Sequence, residues 1–228
     1  MHTSTALLIA ALASVGLAQR PADVSICDYY TEHIFPVNNA TNQKAVIVAV
    51  VNTAVIGNYT HDAQKTDIAV PGILAANATY NSTSVNLLPY FDGSLASSNQ
   101  GGAQGVSVNF LDGGGATPLT QNMPANGNSS NQYALLTHLY EYFGAVLGCT
   151  EYGKTGFPTY AGETSMYNVH KYMALDAMQV GYFIEQVGLS AASWGVSADD
   201  CKIVGTTLEA VFGHKCSAPA AVLPADFY

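Results

Sequence analysis

The sequence predicts an all-α fold, and three observations support this expectation. Apolar residues recur at helical spacing along three stretches of the C-terminal half, 130–149, 176–194 and 197–213. Residues that favour the ends of helices flank these stretches. Two runs near the N-terminus, 23–35 and 42–59, are also long enough to form helices. The total length of 228 residues fits one domain.

Each helix of the C-terminal half has a recognisable start or end. In the first, Leu135 and Leu139 begin an apolar stripe that ends at Gly148. Asp176 is a suitable N-cap for the second. The third begins at Ser197, which two acidic residues follow within the first turn, where the helix dipole favours negative charge.

The N-terminal part contains one buried element and one unusual segment. Residues 42–59 are apolar almost all round, as expected of a helix buried on several sides. Their β-branched residues also permit a buried strand, but the length of the run favours a helix. Residues 92–130 are rich in Gly, Ser and Asn, with one alternating patch at 106–110. This composition predicts a long loop insertion, which in compact domains is usually functional or disordered.

Residues 1–18 have the features of a secretory signal peptide. An apolar run leads to a small-residue site at Gly16-Leu17-Ala18, so the mature domain is expected to span 19–228. The most apolar later run, 45–57, is too short to cross a membrane and contains Asn52. We therefore expect a soluble, secreted, extracellular protein with no membrane span.

Charge and motifs disfavour two classes of function. The net charge is −9 with 7 Lys and Arg residues, so the basic stripe that binds nucleic acid is missing. The sequence contains neither G-x-S-x-G nor H-E-x-x-H, and a hydrolase therefore lacks its starting residue. Hydrophobic residues make up 49% of the chain, which allows a large core.

Cysteines and sequons are both typical of the secretory pathway. An even number of cysteines predicts two disulfides, with three connectivities open, and the lack of a C-x-x-C pair disfavours zinc. The cysteines are Cys27, Cys149, Cys201 and Cys216. The predicted glycosylation sites are Asn39, Asn58, Asn77, Asn81 and Asn128.

Two histidines stand among the apolar residues of predicted helices. His138 shares a helix row with Leu135 and Tyr142, and His170 follows Met166 by one turn. Two helices that each direct an imidazole into an apolar core are typical of a flat ligand or a metal bound between them. The same spacing is compatible with two core histidines satisfied by hydrogen bonds.

A series of short motifs, in their order along the chain, resembles the truncated haemoglobins, which are two-over-two helical globins. The resemblance covers most of the mature chain, and its weight lies in the order of motifs that are individually unspecific. The matching segments are Tyr90-Phe91, Leu147-Gly148-Cys149, Tyr160-Ala161-Gly162, Met166 to His170, Phe183 and Gly195-Val196.

The resemblance implies a globin-like, truncated two-over-two sandwich that carries haem b. His170 would be the proximal iron ligand and would donate its second ring nitrogen to a backbone carbonyl one turn earlier. His138 matches a position that supplies a second axial ligand in some members, and Phe91 matches an aromatic residue that packs on the haem. The residues expected to contact the cofactor are His170, His138, Phe91, Tyr90, Leu135, Leu139, Tyr142, Met166, Lys171 and Phe183; His170 and His138 are the expected metal ligands.

The chain also departs from the family pattern. Thr53-Ala54 replace a distal Phe-Tyr pair, so the tyrosine that stabilises a bound gas is missing. Glu163 stands where the family has a basic residue facing a haem propionate, and Lys171 would take the place of that residue. The 92–130 insertion would lie at the distal entrance. These departures argue against simple oxygen storage.

The expected function is that of a secreted haem protein that binds or reacts with oxygen, nitric oxide or peroxide. Ligation of iron by both histidines would indicate redox chemistry or haem sequestration. An open iron site would indicate gas binding, or a peroxidase-like or dioxygenase activity. The alternative is a haem-free secreted glycoprotein that acts as a surface or interaction protein.

Overall fold

The computed structural model describes residues 19–60 and 66–213. The predicted signal peptide and Cys216 therefore lie outside the described residues. The helices described are α1 (Ile26–Ile34), α2 (Ala40–Ile56), α3 (Ala116–Leu119), α4 (Asn131–Val146), α5 (Met166–His170), α6 (Ala177–Ser193) and α7 (Ala198–Phe212). The strands described are β1 (Ala78–Tyr80), β2 (Thr83–Val85), β3 (Asp92–Ser98) and β4 (Val106–Asn109), with a 3₁₀ turn at Leu88–Tyr90.

The fold is mixed α/β, so the predicted all-α class is wrong. Helices make up 45% and strands 11% of the structure. β1 pairs with β2 and β3 pairs with β4, which gives two small antiparallel sheets. The two-over-two helical sandwich belonged to the all-α prediction and is corrected with it.

The second sheet lies within 92–130, which the sequence predicts to be a loop. β4 coincides with the alternating patch at 106–110. Its partner β3 is built mainly from small and polar residues and shows no alternation of apolar side chains. Cross-strand pairing forms this strand, with Ala96 opposite Ser107. A search for apolar patterns therefore could not identify β3. The short helix α3 also lies within this segment.

The predicted long helices are confirmed, and their caps explain where they begin. The Asp176 carboxylate accepts a hydrogen bond of 2.8 Å from the Gln179 backbone N–H, and the Gln179 side chain accepts one of 3.0 Å from the Asp176 N–H. This reciprocal pair is a capping box at the start of α6. Ser197 caps α7 through its hydroxyl, and Gly213 ends that helix.

α2 lies at the centre of the fold and packs against α1, α4 and α6. This position explains why its sequence is apolar almost all round, since Ile47 and Ala49, which lie on opposite faces of the helix, are both buried. α6 also packs along α7. None of the described helices is long and apolar enough to span a membrane.

Two glycines bring the end of α2 against the segment that follows it. Gly57 has φ +84° and Gly72 has φ +91°, a region that glycine adopts at little cost. A Cβ atom at Gly57 would lie 2.6 Å from the Pro71 carbonyl oxygen. The backbones around residues 57 and 71 are therefore in direct contact.

Each hairpin packs on a helix through one tyrosine. The Tyr80 ring of β1 covers Gly181 of α6, where a Cβ would lie 2.5 Å from the ring. Tyr172 is the second residue after α5, and its side chain covers Gly105, which directly precedes β4. β3 also contacts α5. The β3–β4 hairpin therefore lies beside the helix that carries His170.

Candidate functional site

His170 ends α5, and a backbone contact fixes the orientation of its ring. Ser165 caps this short helix by accepting a hydrogen bond from the Asn168 N–H. Nδ1 of His170 lies 2.8 Å from the Met166 carbonyl oxygen. A carbonyl oxygen can only accept, so Nδ1 carries the hydrogen, and the neutral ring has its lone pair on Nε2. Nε2 has no hydrogen-bond partner among the described residues.

Apolar and aromatic groups surround this imidazole. The ring of His170 meets Phe212 edge-on at a centroid distance of 5.5 Å, and Phe212 meets Phe183 in the same manner at 5.4 Å. Met166, one turn earlier, is buried. Burial lowers the pKa of His170, and the hydrogen bond to the Met166 carbonyl offsets part of this effect. The ring is therefore neutral near pH 7, the form that binds a metal.

His33 shows that the backbone contact alone does not define a site. Its Nδ1 lies 2.6 Å from the Tyr29 carbonyl oxygen, one turn earlier in α1, in the same arrangement as at His170. His33, however, is exposed. His170 differs because its ring is partly buried against Phe212. His33 therefore provides a matched control for experiments on His170.

His138 lies in a second aromatic cluster. Its half-buried ring meets the ring of Tyr160 at a centroid distance of 5.5 Å. Tyr142, one turn later in α4, also meets the ring of Tyr160, at 6.3 Å. Burial lowers the pKa of His138. The hydroxyl of Tyr142 is buried without a hydrogen-bond partner among the described residues. No described contact joins this cluster to His170.

Two cavities bring together several of the residues predicted to contact a cofactor. The larger, of about 50 Å³, has apolar walls contributed by α1, α2, α4, α6 and α7, with Leu139 and Phe183 among them. The smaller, of about 10 Å³, is lined by Phe91, Leu135 and Leu139. Leu139 therefore lies between the two cavities. Because Phe183 also contacts Phe212, one continuous apolar region leads from Phe91 to the ring of His170.

The volume of this region differs from that of a typical ligand site. Pockets for cofactors usually enclose about 300–1,000 Å³. Neither cavity has His138 or His170 in its wall. The structure thus brings together the apolar set that the sequence predicts, but the histidines stand at its margins.

The remaining predicted residues have other surroundings. Tyr90 is buried, and burial raises the pKa of its phenol. Lys171 is exposed, with its ammonium 5.3 Å from the centroid of the Tyr172 ring. Among the described residues, no group of three or more His, Cys, Asp or Glu side chains could hold a metal ion. Haem iron takes four ligands from the porphyrin and one or two from the protein, so one histidine can suffice.

Two residues that contact the candidate site, Phe212 and Tyr172, were not predicted from the sequence. Phe212 has the apolar spacing of the α7 core face, but nothing in that spacing pairs it with His170, 42 positions earlier. Tyr172, which ties the second hairpin to the end of α5, carries no signal beyond its proximity to His170 in the sequence. Pairings over such distances follow from the tertiary fold.

One of the predicted disulfides is present. Cys27 at the start of α1 is joined to Cys149 after α4. Cys201 in α7 is buried and has no disulfide among the described residues, and burial raises the pKa of its thiol to about 12. Cys216 lies outside the described residues, so the second predicted disulfide stays a prediction.

Comparison of the chain with family models, curated proteins and solved structures gives no match. The resemblance to the truncated haemoglobins therefore stays a prediction.

Proposed function

We propose that the protein binds haem b, with His170 as the protein ligand to iron. The observation that carries this proposal is the tautomer of the His170 ring, which leaves the lone pair on Nε2. Its Nδ1–H donates to the Met166 carbonyl oxygen at 2.8 Å, and its Nε2 has no described partner. Metal-ligating histidines commonly donate their second ring nitrogen in this way, which fixes the tautomer and raises ligand basicity.

The side chains around His170 have the apolar and aromatic character of those that contact a porphyrin face. Phe183 and Phe212 offer aromatic edges, and Leu139 and Phe91 extend the apolar region beyond them. Burial keeps the imidazole neutral, so iron does not compete with a proton near pH 7. Haem supplies affinity for a gaseous or peroxide ligand when it is bound, and the axial ligand and distal polarity tune that chemistry.

His138 is the candidate for a second protein ligand to iron. Its ring packs against Tyr160, while that of His170 packs against Phe212. These separate contacts favour iron with one protein ligand and an open position. Such a site would bind oxygen or nitric oxide or react with peroxide, whereas ligation by both histidines would favour electron transfer or haem sequestration.

A haem-free role is the second candidate, and the cavity volumes favour it. The two cavities measure about 50 and 10 Å³, far less than a cofactor pocket. Haem binding would require apolar side chains to separate. Without haem, the protein would be a glycoprotein that acts through its surface.

We also propose that the protein is secreted. The proposal rests on the signal-peptide pattern of residues 1–18, the five sequons and the Cys27–Cys149 disulfide. Disulfides are typical of proteins that fold in oxidising compartments.

A visible spectrum tests the haem proposal directly. Purified protein is titrated with hemin, and a Soret band is expected in the wild type and in His33→Ala but not in His170→Ala. His138→Leu separates the coordination states, because it converts a six-coordinate spectrum to five-coordinate only if His138 binds iron. A wild-type protein without a Soret band contradicts the proposal and leaves the haem-free role. An unchanged band in His170→Ala would show that haem binds without His170 and would contradict its assignment as the iron ligand.

A further inference from the structure

The five sequons differ in how the fold presents them. We propose that Asn77, Asn81 and Asn128 carry N-linked glycans in the secreted protein, and that Asn58 does not. This inference concerns modification and does not depend on haem binding. It rests on exposure, turn geometry and hydrogen bonding at four of the five sites.

Asn81 occupies the tip of the first hairpin. Tyr80 pairs with Thr83, so Asn81 and Ser82 form a two-residue turn. Both residues have positive φ, 47° and 63°, as in a type I′ turn. All three residues of the sequon, Asn81 to Thr83, are exposed. A sugar on the amide nitrogen of Asn81 can therefore extend into solvent.

Asn77 and Asn128 are presented in a similar way. Asn77 directly precedes β1, and both Asn77 and Thr79 of its sequon are exposed. Asn128 is exposed, as is Ser129 beside it, in the segment that leads into α4. Ser130, the last residue of that sequon, caps α4 by accepting a hydrogen bond of 3.0 Å from the Tyr133 N–H. The cap uses the serine and leaves the Asn128 side chain outside the helix.

Asn58 is held by the fold. Its side-chain nitrogen donates to the Ile68 carbonyl oxygen at 3.2 Å, and its side-chain oxygen accepts from the Val70 N–H at 2.5 Å. Its backbone N–H donates to the Val70 carbonyl oxygen at 3.1 Å. The neighbouring Gly57 lies so close to Pro71 that no side chain fits there. A glycan is bulky, and at Asn58 it would have to part these two segments.

The contacts of Asn39 are compatible with either a bare or a glycosylated side chain. Its side-chain oxygen caps α2 by accepting a hydrogen bond of 2.9 Å from the Asn42 N–H. A sugar on the nitrogen would leave that oxygen free to act as the cap. The test therefore uses the other four sites.

Glycans at Asn77 and Asn81 would protect the β1–β2 sheet. A two-stranded sheet has unpaired backbone groups on both edges, and such edges can pair with another copy. Charged residues, which often prevent this pairing, make up only 10% of the chain. Two glycans that flank β1 would block its edge without charge.

Glycopeptide mapping of protein secreted from a eukaryotic host tests the assignment. The full chain is expressed with its own leader and, in parallel, with a heterologous secretory leader placed before Gln19, so that failure of the native leader is distinguishable. Enzymatic release of glycans in heavy-oxygen water converts each modified asparagine to labelled aspartate. Label is expected at Asn77, Asn81 and Asn128, with Asn58 unlabelled.

Two threonine variants provide matched controls. Thr83→Val removes the Asn81 sequon but keeps the turn asparagine, so one glycan should be lost. Thr60→Val removes the Asn58 sequon at a buried hydroxyl that has no described partner, so the glycan mass should not change. Label at Asn58 in folded protein, or no label at any one of the other three with the heterologous leader, overturns the assignment for that site.

Discussion

The hydroxyl of Tyr172 donates a hydrogen bond of 2.8 Å to the carbonyl oxygen of Gly102, across 70 positions of sequence. Tyr172 follows α5 by one residue, and Gly102 lies in the turn between β3 and β4. The Tyr172 side chain also covers Gly105. The second hairpin is thereby tied to the end of the helix that carries His170.

Removal of the Tyr172 hydroxyl should loosen the second hairpin. Tyr172→Phe keeps the ring over Gly105 but loses the hydrogen bond, which typically contributes about 1 kcal/mol and less where water competes. Faster amide hydrogen exchange is expected in β3 and β4, with little change in α2. Tyr167→Phe, in an exposed tyrosine of α5, is the matched control. Equal exchange rates in both variants would show that this bond does not hold the hairpin.

The His170 ring should make stability depend on pH. Burial lowers its folded-state pKa below the ordinary 6.5. As pH falls through about 6.5 the unfolded chain takes up a proton before the folded chain does, so the free energy of unfolding decreases. The loss continues until pH reaches the folded pKa. Above about pH 7.5 the ring is neutral in both states and contributes no slope.

Urea denaturation of the haem-free protein between about pH 8 and about pH 5 measures this effect. His170→Gln should flatten the curve in that window. Part of the slope should remain, because burial also lowers the pKa of His138. His33→Gln, at an exposed histidine with the same backbone contact, should leave the slope from His170 in place. A His170→Gln curve parallel to that of the wild type would mean that His170 is protonated equally in both states.

The long helices could be predicted from sequence because their signals are local. Asp176 and Gln179 form a capping box within one turn, and the all-round apolarity of 42–59 corresponds to a helix packed on three sides. β3 could not be predicted, since its sequence has no alternation of apolar side chains and its formation depends on pairing with β4.

The candidate site, too, could be predicted only in part from the sequence. The apolar set of Phe91, Leu135, Leu139 and Phe183 lines two neighbouring cavities, as expected of core-facing residues. Which aromatic ring each histidine meets depends on tertiary packing, so spacing along the helices could not tell that His138 meets Tyr160. Two histidines in apolar helix rows do not, by themselves, imply that they face each other.

Asp200 should be important for attachment of the N-terminal segment. Its carboxylate accepts hydrogen bonds from Arg20, at 2.9 and 2.8 Å, and from the Tyr30 hydroxyl at 2.8 Å. Burial raises the pKa of this carboxyl, but the bonds from Arg20 and Tyr30 outweigh burial and lower it overall. Asp200→Asn should therefore cost roughly 2 kcal/mol of unfolding free energy, because charge-assisted bonds are lost.

Asp199→Asn is the matched control for this variant, since Asp199 is exposed in the same first turn of α7. Both changes weaken the interaction with the helix dipole, so their difference in a urea titration isolates the contacts of Asp200. The contribution of Asp200 should be present above its ordinary pKa of 3.8 and should be lost as pH falls from there towards the folded pKa. Equal losses in the two variants would contradict this role.

The Cys27–Cys149 disulfide should make a large contribution to stability. It closes a loop of 122 positions and joins the start of α1 to the end of α4. Loop closure of this length restricts the unfolded chain, and loss of the bond should lower the free energy of unfolding by about 2–4 kcal/mol.

Cys27→Ala/Cys149→Ala should therefore unfold at lower urea concentration than the wild type. Reductant should lower the midpoint of Cys201→Ala by about as much as the double alanine substitution lowers that of the wild type, since Cys201 has no disulfide within the described part of the chain. Insensitivity of the wild type to reductant under unfolding conditions would show that this bond is not formed in the protein.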